Sequence, residues 1–147
     1  DGAEEIWAPS ELPYHQDKTI AVNKKRDIAG WGPWSIKEGI HHVQPDFALL
    51  NNCITLRCHL DDTNSDNGCL QVIPKSHQQI WSSEEIQTIT AEQSPIECEA
   101  DAGDILLMRP LLLHASKKAS SLSCRRILHL EFCGSQLPEG LTFSGTD

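Results

Sequence analysis

What most constrains the fold of this chain is the shortness of its apolar segments. Runs such as Ile105–Met108 and Leu111–Leu113 span only a few residues, and Arg109-Pro110 splits them. A membrane-spanning helix needs about 20 apolar residues, so none is expected. Short β-rich runs punctuated by Gly, Pro, Asn and Asp predict a mainly β sandwich or barrel with a few short helices. The 147 residues match the size of one domain, so residues 1–147 are expected to form a single unit.

The elements follow from local pattern. Tyr14–Val22 reads as one strand, and residues 23–45 as a long connection of the kind that forms lids. Pro45 opens a turn or two of helix over Phe47–Leu50. Ile54–Leu60 alternates, with Thr55, Arg57 and His59 on one face and apolar residues on the other. Asp61–Gly68 ends in Asn-Gly, which predicts a hairpin to the return strand Cys69–Ile73. Ser82 and Glu85 have capping-box spacing, predicting a helix to about Thr88. Further strands are expected at Ile96–Ala100, at Ile105–His114 with a break at Pro110, and at Arg125–Phe132.

Charge narrows the partners. Lys+Arg total 12 against 21 Asp+Glu, a net −9, which excludes a phosphate-backbone binder. Lys24-Lys25-Arg26 is too short for a nucleic-acid patch. The acidic start DGAEEIW has no signal-peptide pattern. The six cysteines form no C-x-x-C pair and read as buried reduced thiols, so a soluble cytoplasmic protein is expected. No initiator Met is present, consistent with a fragment or a processed product.

The chemistry concentrates at His15-x-Asp17. Residues two apart on a strand share a face, so an imidazole and a carboxylate could bind one metal. A second histidine would complete a 2-His-1-carboxylate face with open positions. His114, at the end of an apolar strand, is the candidate. Arg125 opens the next strand, and a hairpin would put it beside His114. A guanidinium fork there suits the far end of a dicarboxylic acid.

Other residues carry two readings each. Arg57 and Thr55 contact cosubstrate or substrate, or Arg57 pairs with Asp61 or Asp62. Trp31, Trp34, His41 and His42 cover a substrate pocket, or the tryptophans anchor their loop. His59 and His129 read as structural, and His77 as a loop-packing residue. Asp62-x-Asn64-x-Asp66 lacks the glycine and glutamate of a calcium loop.

Six stretches occur in order: YHQD (14–17), GWGPW (30–34), TLRCHLDD (55–62), DNGCLQVIPKSH (66–77), AGDILLMRPLLLHAS (102–116) and RRILHLEF (125–132). On these the chain resembles the phytanoyl-CoA dioxygenase family of Fe(II)/2-oxoglutarate oxygenases. The resemblance implies a double-stranded β-helix, a jelly-roll or cupin-like barrel. It implies His15, Asp17 and His114 as ligands of Fe(II), and Arg125 as the 2-oxoglutarate-binding arginine. Gln16 and Ser116 match accessory cosubstrate positions. It further implies O₂ as co-reactant, a small organic substrate, and release of succinate and CO₂. A carboxylate at position 17 matches hydroxylases rather than the related halogenases. Only 14 residues precede His15, against roughly a hundred in the family, the size of a small domain. The expectation is an N-terminally truncated fragment with one side of the barrel uncovered near its first strand. Two rival readings are a non-catalytic jelly-roll binding module and a zinc hydrolase.

Overall fold

The computed structural model describes residues 11–120, 124–138 and 140–144. The acidic N-terminal segment and part of the loop before Arg125 lie outside the described residues. Ten strands and two α-helices follow one another. β1 is Leu12–His15, β2 Ile20–Val22, β3 Trp34–Lys37 and β4 Ile40–Val43. Helix α1 is Phe47–Asn51, followed by β5 Cys53–His59 and β6 Leu70–Val72. Helix α2 is Ser83–Glu92, and β7 Ile96–Cys98, β8 Ile105–Met108, β9 His114–Ser116 and β10 Ile127–Cys133 complete the order.

Pairing sorts the strands into three sheets: β1-β9-β6-β7, β10-β5-β8 and β2-β4-β3. The first two sheets face one another, since His15, His114 and Leu70 from one share a cleft with Arg57 and His129 from the other. The architecture is mainly β and of the expected class, with few short helices. Among the described residues the sheets do not join into a closed barrel.

Local chemistry explains several boundaries. The Asp46 carboxylate caps α1 by accepting from Leu49 N. Ser82 and Glu85 form the expected reciprocal capping box, and α2 runs on to Glu92, beyond the expected end. The strand expected over Tyr14–Val22 is two strands in two sheets. Between them Asp17 N donates to Pro110 O, and Gln16 Nε2 donates to Leu111 O and Gln79 O. These bonds pull the chain out of the first ladder.

Two turn expectations are reversed. Residues 34–43, read as part of a long connection, form a β3–β4 hairpin with Lys37 opposite Ile40. Its two-residue loop is Glu38-Gly39, both at positive φ (51° and 80°). Asn67-Gly68 forms no hairpin. Ser65–Asn67 is a 3₁₀ turn capped by Asn64, and Gly68 lies at φ 79°. A Cβ at Gly68 would sit 2.6 Å from the Lys117 carbonyl oxygen, so glycine is required for that close approach. The chain thus leaves β5 for the facing sheet rather than returning beside it.

The core sits in three packed clusters. Ile20, Val22, Val43, Leu50 and Leu111 fill the space between β2, β4 and α1, with Trp31 and Trp34 packed on them. Leu70, Val72 and Met108 form a second cluster. Ile73, Leu113 and the α2 residue Ile89 form a third.

On the inner face of the β10-β5-β8 sheet, β5 and β10 present Thr55, Arg57, His129 and Glu131 while β8 presents Leu106 and Met108, and the outer face is apolar. The register aligns Leu128, Cys58 and Ile105 in one row, and Leu130, Leu56 and Leu107 in the next. Ile105 is 58% exposed, Leu107 61% and Phe132 55%. An uncovered apolar face therefore lies on this sheet, and among the described residues β1 is an exposed edge strand with Leu12 49% exposed, as expected for the first strand. A contiguous apolar surface of this kind drives association. Threonine at both Leu107 and Leu130 should reduce concentration-dependent self-association, seen by light scattering, while a cooperative melting transition is kept. Unchanged association in that variant would show that this face stays solvated.

Candidate metal centre

The end of β1 and the start of β9 meet in register. His15 lies opposite His114, and a register shift between Leu12 and His15 marks a bulge in β1. The two rings stand with centroids 4.3 Å apart, tilted by 56°. Each ring is held by the backbone two residues before it. His15 Nδ1 lies 2.7 Å from Pro13 O, and His114 Nδ1 lies 2.7 Å from Leu112 O. A carbonyl only accepts, so each Nδ1 carries a proton, and Nε2 is the nitrogen left to face Asp17 or, once it is unprotonated, a metal.

Both Nε2 atoms point at Asp17. His15 Nε2 is 3.7 Å from Asp17 Oδ1, and His114 Nε2 is 3.4 Å from Asp17 Oδ2. One donor atom from each of the three residues lies within 4.8 Å of the others. Burial is the largest single influence on the Asp17 carboxyl and pushes it up, but the hydrogen bond from His114 and the charges of His114, His15 and His129 together leave it below its ordinary value. The residue stays anionic, as a ligand must. Two oriented imidazoles and a carboxylate on one face fit a divalent metal with open positions.

The facing sheet brings cations to the same cleft of about 230 Å³, which is lined by Arg57, Ser116, Arg125 and His129 beside the three donors. Arg57 Nε and Arg125 Nε are buried without a hydrogen-bond partner among the described residues. Burial lowers both guanidinium pKa values, and for Arg57 the charge of Arg125 lowers it further. Two guanidiniums turned into one cleft without a paired carboxylate form a receptor for an anion. Arg57 Nη1 lies 3.3 Å from His129 Nδ1, and His129 Nε2 lies 3.4 Å from Glu131 Oε1.

A family model described as phytanoyl-CoA dioxygenase matches residues 3–127. The chain belongs to the phytanoyl-CoA dioxygenase family. Solved structures share the fold at low identity. The crystal structure of AviO1 from Streptomyces viridochromogenes Tue57 has a TM-score of 0.59 at 22% identity, covering 90% of this chain and 47% of that one. EvdMO1 has a TM-score of 0.57 at 20% identity, covering 86% of this chain and 24% of that one. EctD from S. alaskensis, solved with bound Fe, has a TM-score of 0.50 at 20% identity, covering 55% and 31%. The chain thus spans less than half the length of each of these structures. No curated protein sequence matches it.

Within this phytanoyl-CoA dioxygenase-family chain, the residues expected at the site separate into two groups. His15, Asp17, His114, Arg57, Arg125 and Ser116 share the cleft. Asp61 is engaged by Arg126, whose Nε and Nη2 reach its two oxygens at 2.9 and 2.8 Å, and Asp62 accepts from Ala102 N. Neither acid pairs with Arg57, so the salt-bridge reading for Arg57 is set aside.

Other candidate residues lie outside the cleft. Gln16 points away from the cleft, donating to two carbonyls and accepting from Trp81 N. It follows His15 by one residue and so takes the opposite side. Thr55 borders a neighbouring cavity rather than the cosubstrate cleft, which sets aside its cosubstrate reading and not its substrate one. Trp31 and Trp34 pack on the core, which supports the anchoring reading. His41 and His42 sit in β4, paired with β2 and β3, and do not line the cleft. Residues 34–43 of the connection expected over 23–45 are therefore a β-hairpin.

His129, read as structural, is the residue the sequence reasoning missed. Its signal was available: it shares a strand face with Glu131, two residues after Ile127, and the polar side of that alternation faces inward.

Proposed function

We propose that the chain is an Fe(II)- and 2-oxoglutarate-dependent dioxygenase that hydroxylates a small organic molecule. The observation that carries this reading is the convergence of His15, Asp17 and His114 beside two guanidiniums whose buried Nε groups have no hydrogen-bond partner among the described residues. Family membership supports an oxygenase. EctD, crystallised with Fe and separately with 2-oxoglutarate and 5-hydroxyectoine, supports the cofactor pair by analogy.

Iron would be held by His15 Nε2, His114 Nε2 and the Asp17 carboxylate. When bound with 2-oxoglutarate it supplies oxidation by O₂, with succinate and CO₂ released. The protein's own part is orientation and charge. The Nδ1 anchors fix both imidazoles before the metal arrives, which lowers the ordering cost of binding. Arg125 holds the distal carboxylate, with Arg57 and Ser116 alongside. The mutual repulsion of Arg57 and Arg125 is relieved by an anion, so the cosubstrate is favoured over neutral molecules. A zinc hydrolase would leave both arginines without a task, and a non-catalytic binding module would bind metal and 2-oxoglutarate without releasing succinate.

Anoxic titration with Fe(II) and then 2-oxoglutarate tests the reading, followed by succinate assays across a substrate panel. Iron-dependent binding of 2-oxoglutarate and substrate-stimulated succinate release are expected. Full metal binding with no affinity for 2-oxoglutarate would overturn it.

A further inference from the structure

Beside the metal cleft lies a second cavity, of about 330 Å³, that no site assignment above uses. It is bordered by Ile20, Leu50, Pro110 and Phe143, together with Thr55 and Glu131. Its volume is at the lower end of the range for small-molecule pockets. Thr19 and Ile20, which border it, lie two and three residues after the ligand Asp17. Pro110, another wall, accepts the hydrogen bond from Asp17 N. On the facing sheet, Thr55 lies opposite Glu131, and Arg57 lies opposite His129 one inward-facing rung away. Two residues along a strand are about 7 Å, so the cavity adjoins the cosubstrate end of the cleft.

Two polar groups give the cavity a chemical preference. Thr55 is 1% exposed, and its Oγ1 has no hydrogen-bond partner among the described residues. A buried hydroxyl without a partner costs stability, which a ligand hydrogen bond would recover. Glu131, whose side chain is 51% exposed, is the only charged side chain among the lining residues. Cys53, which also lines the cavity, does not add a second anion: burial and the neighbouring Cys133 thiol push it well above its ordinary value. An apolar chamber with one carboxylate and an aromatic wall suits an organic cation.

We infer that this cavity is the substrate chamber and that it takes a compact, mostly apolar molecule bearing one protonated amine, with the ammonium on Glu131 and a polar group on Thr55 Oγ1. This rests on the oxygenase reading above. The chain Arg57–His129–Glu131 would then link the amine site to the cosubstrate site, so that both ligands are sensed by one hydrogen-bonded row.

The test uses the chain loaded with Fe(II) and 2-oxoglutarate without O₂, titrated by calorimetry with cyclohexylmethylamine, cyclohexylmethanol and cyclohexanecarboxylate. The amine is expected to bind about 10-fold or more tighter than the alcohol, the scale of one charge-assisted contact, and the acid more weakly than either. Glu131→Gln should erase the preference for the amine while leaving alcohol binding within about 2-fold, a change below 0.5 kcal/mol. Thr55→Val, which replaces an unpaired buried hydroxyl by a methyl and so keeps the fold, should weaken amine and alcohol alike. Equal binding of amine and alcohol overturns the inference. So does an amine preference that survives Glu131→Gln, an unaltered Thr55→Val, or no probe binding while 2-oxoglutarate binds normally. The last result leaves the oxygenase reading standing. An amine preference carried by Glu131 in a chain that binds no 2-oxoglutarate supports the chamber and removes the oxygenase reading.

Discussion

Replacing Asp17 with alanine is expected to lower Fe(II) affinity by about 100-fold or more. Loss of an outer partner of a metal ligand already costs about 10- to 100-fold, and Asp17 is the only anionic ligand of the three. Without it the site offers two neutral imidazoles, with Arg57 and Arg125 lining the same cleft. The backbone bond from Asp17 N to Pro110 O does not depend on the side chain. The variant should therefore keep its circular dichroism and melting temperature while losing metal. Calorimetric titration under argon reads the affinity. A variant that still binds Fe(II) within a few-fold of the parent would show that the metal sits elsewhere.

The second large effect separates two adjacent arginines. Arg125→Ala should weaken 2-oxoglutarate binding by about 30-fold or more, because truncating one partner of a buried charge pair costs ~2 kcal/mol or more. Arg126→Ala should change it by less than about 3-fold. The reason is placement. Arg125 lines the cleft with a buried unpaired Nε, whereas Arg126 is committed outside it to both oxygens of Asp61. That link is exposed, and exposed pairs contribute little to stability. Competition between 2-oxoglutarate and a fluorescent analogue in the Fe(II)-loaded protein measures both variants. Equal losses would place the cosubstrate off this cleft.

The candidate metal donors were legible because their chemistry needs little context. A His-x-Asp pair and a histidine at the end of an apolar strand specify ligand types, and the ordered stretches supplied the pairing between them. What the sequence could not show was where the connections go. The loop at Glu38-Gly39 makes both of its residues adopt positive φ, a demand that Asn-Gly or Asp-Gly normally announces. Glutamate in the first position hid the hairpin, and the segment read as a lid. The reverse error occurred at Asn67-Gly68, where the usual hairpin dipeptide serves a 3₁₀ turn that crosses between sheets. Gln16 was misplaced for a simpler reason. Its neighbours on both sides point into the cleft, so an accessory role was easy to assign, but its own side chain serves three backbone groups. Thr55 and His129 share one further cause. Alternation tells that a strand has two faces, and it does not tell which rung of the inner face meets which cavity.

The polar interior and apolar exterior of β10 have a consequence for how the chain finds its structure. A slip of β10 by one residue against β5 would turn Leu128, Leu130 and Phe132 inward and expel His129 and Glu131. Hydrophobic burial alone favours the slipped pairing, while only the observed one assembles the cleft. The strand is a frustrated element, with its chemistry and its hydrophobicity asking for opposite alignments. What opposes the slip lies at the strand's ends. At one, Arg126 grips Asp61 through its backbone N–H and its guanidinium together. At the other, Cys133 lies opposite Cys53, and Gly134 N donates to Asn52 O. An ion pair that contributes little to stability can thus still discriminate between two competing ladders, acting as a latch on alignment.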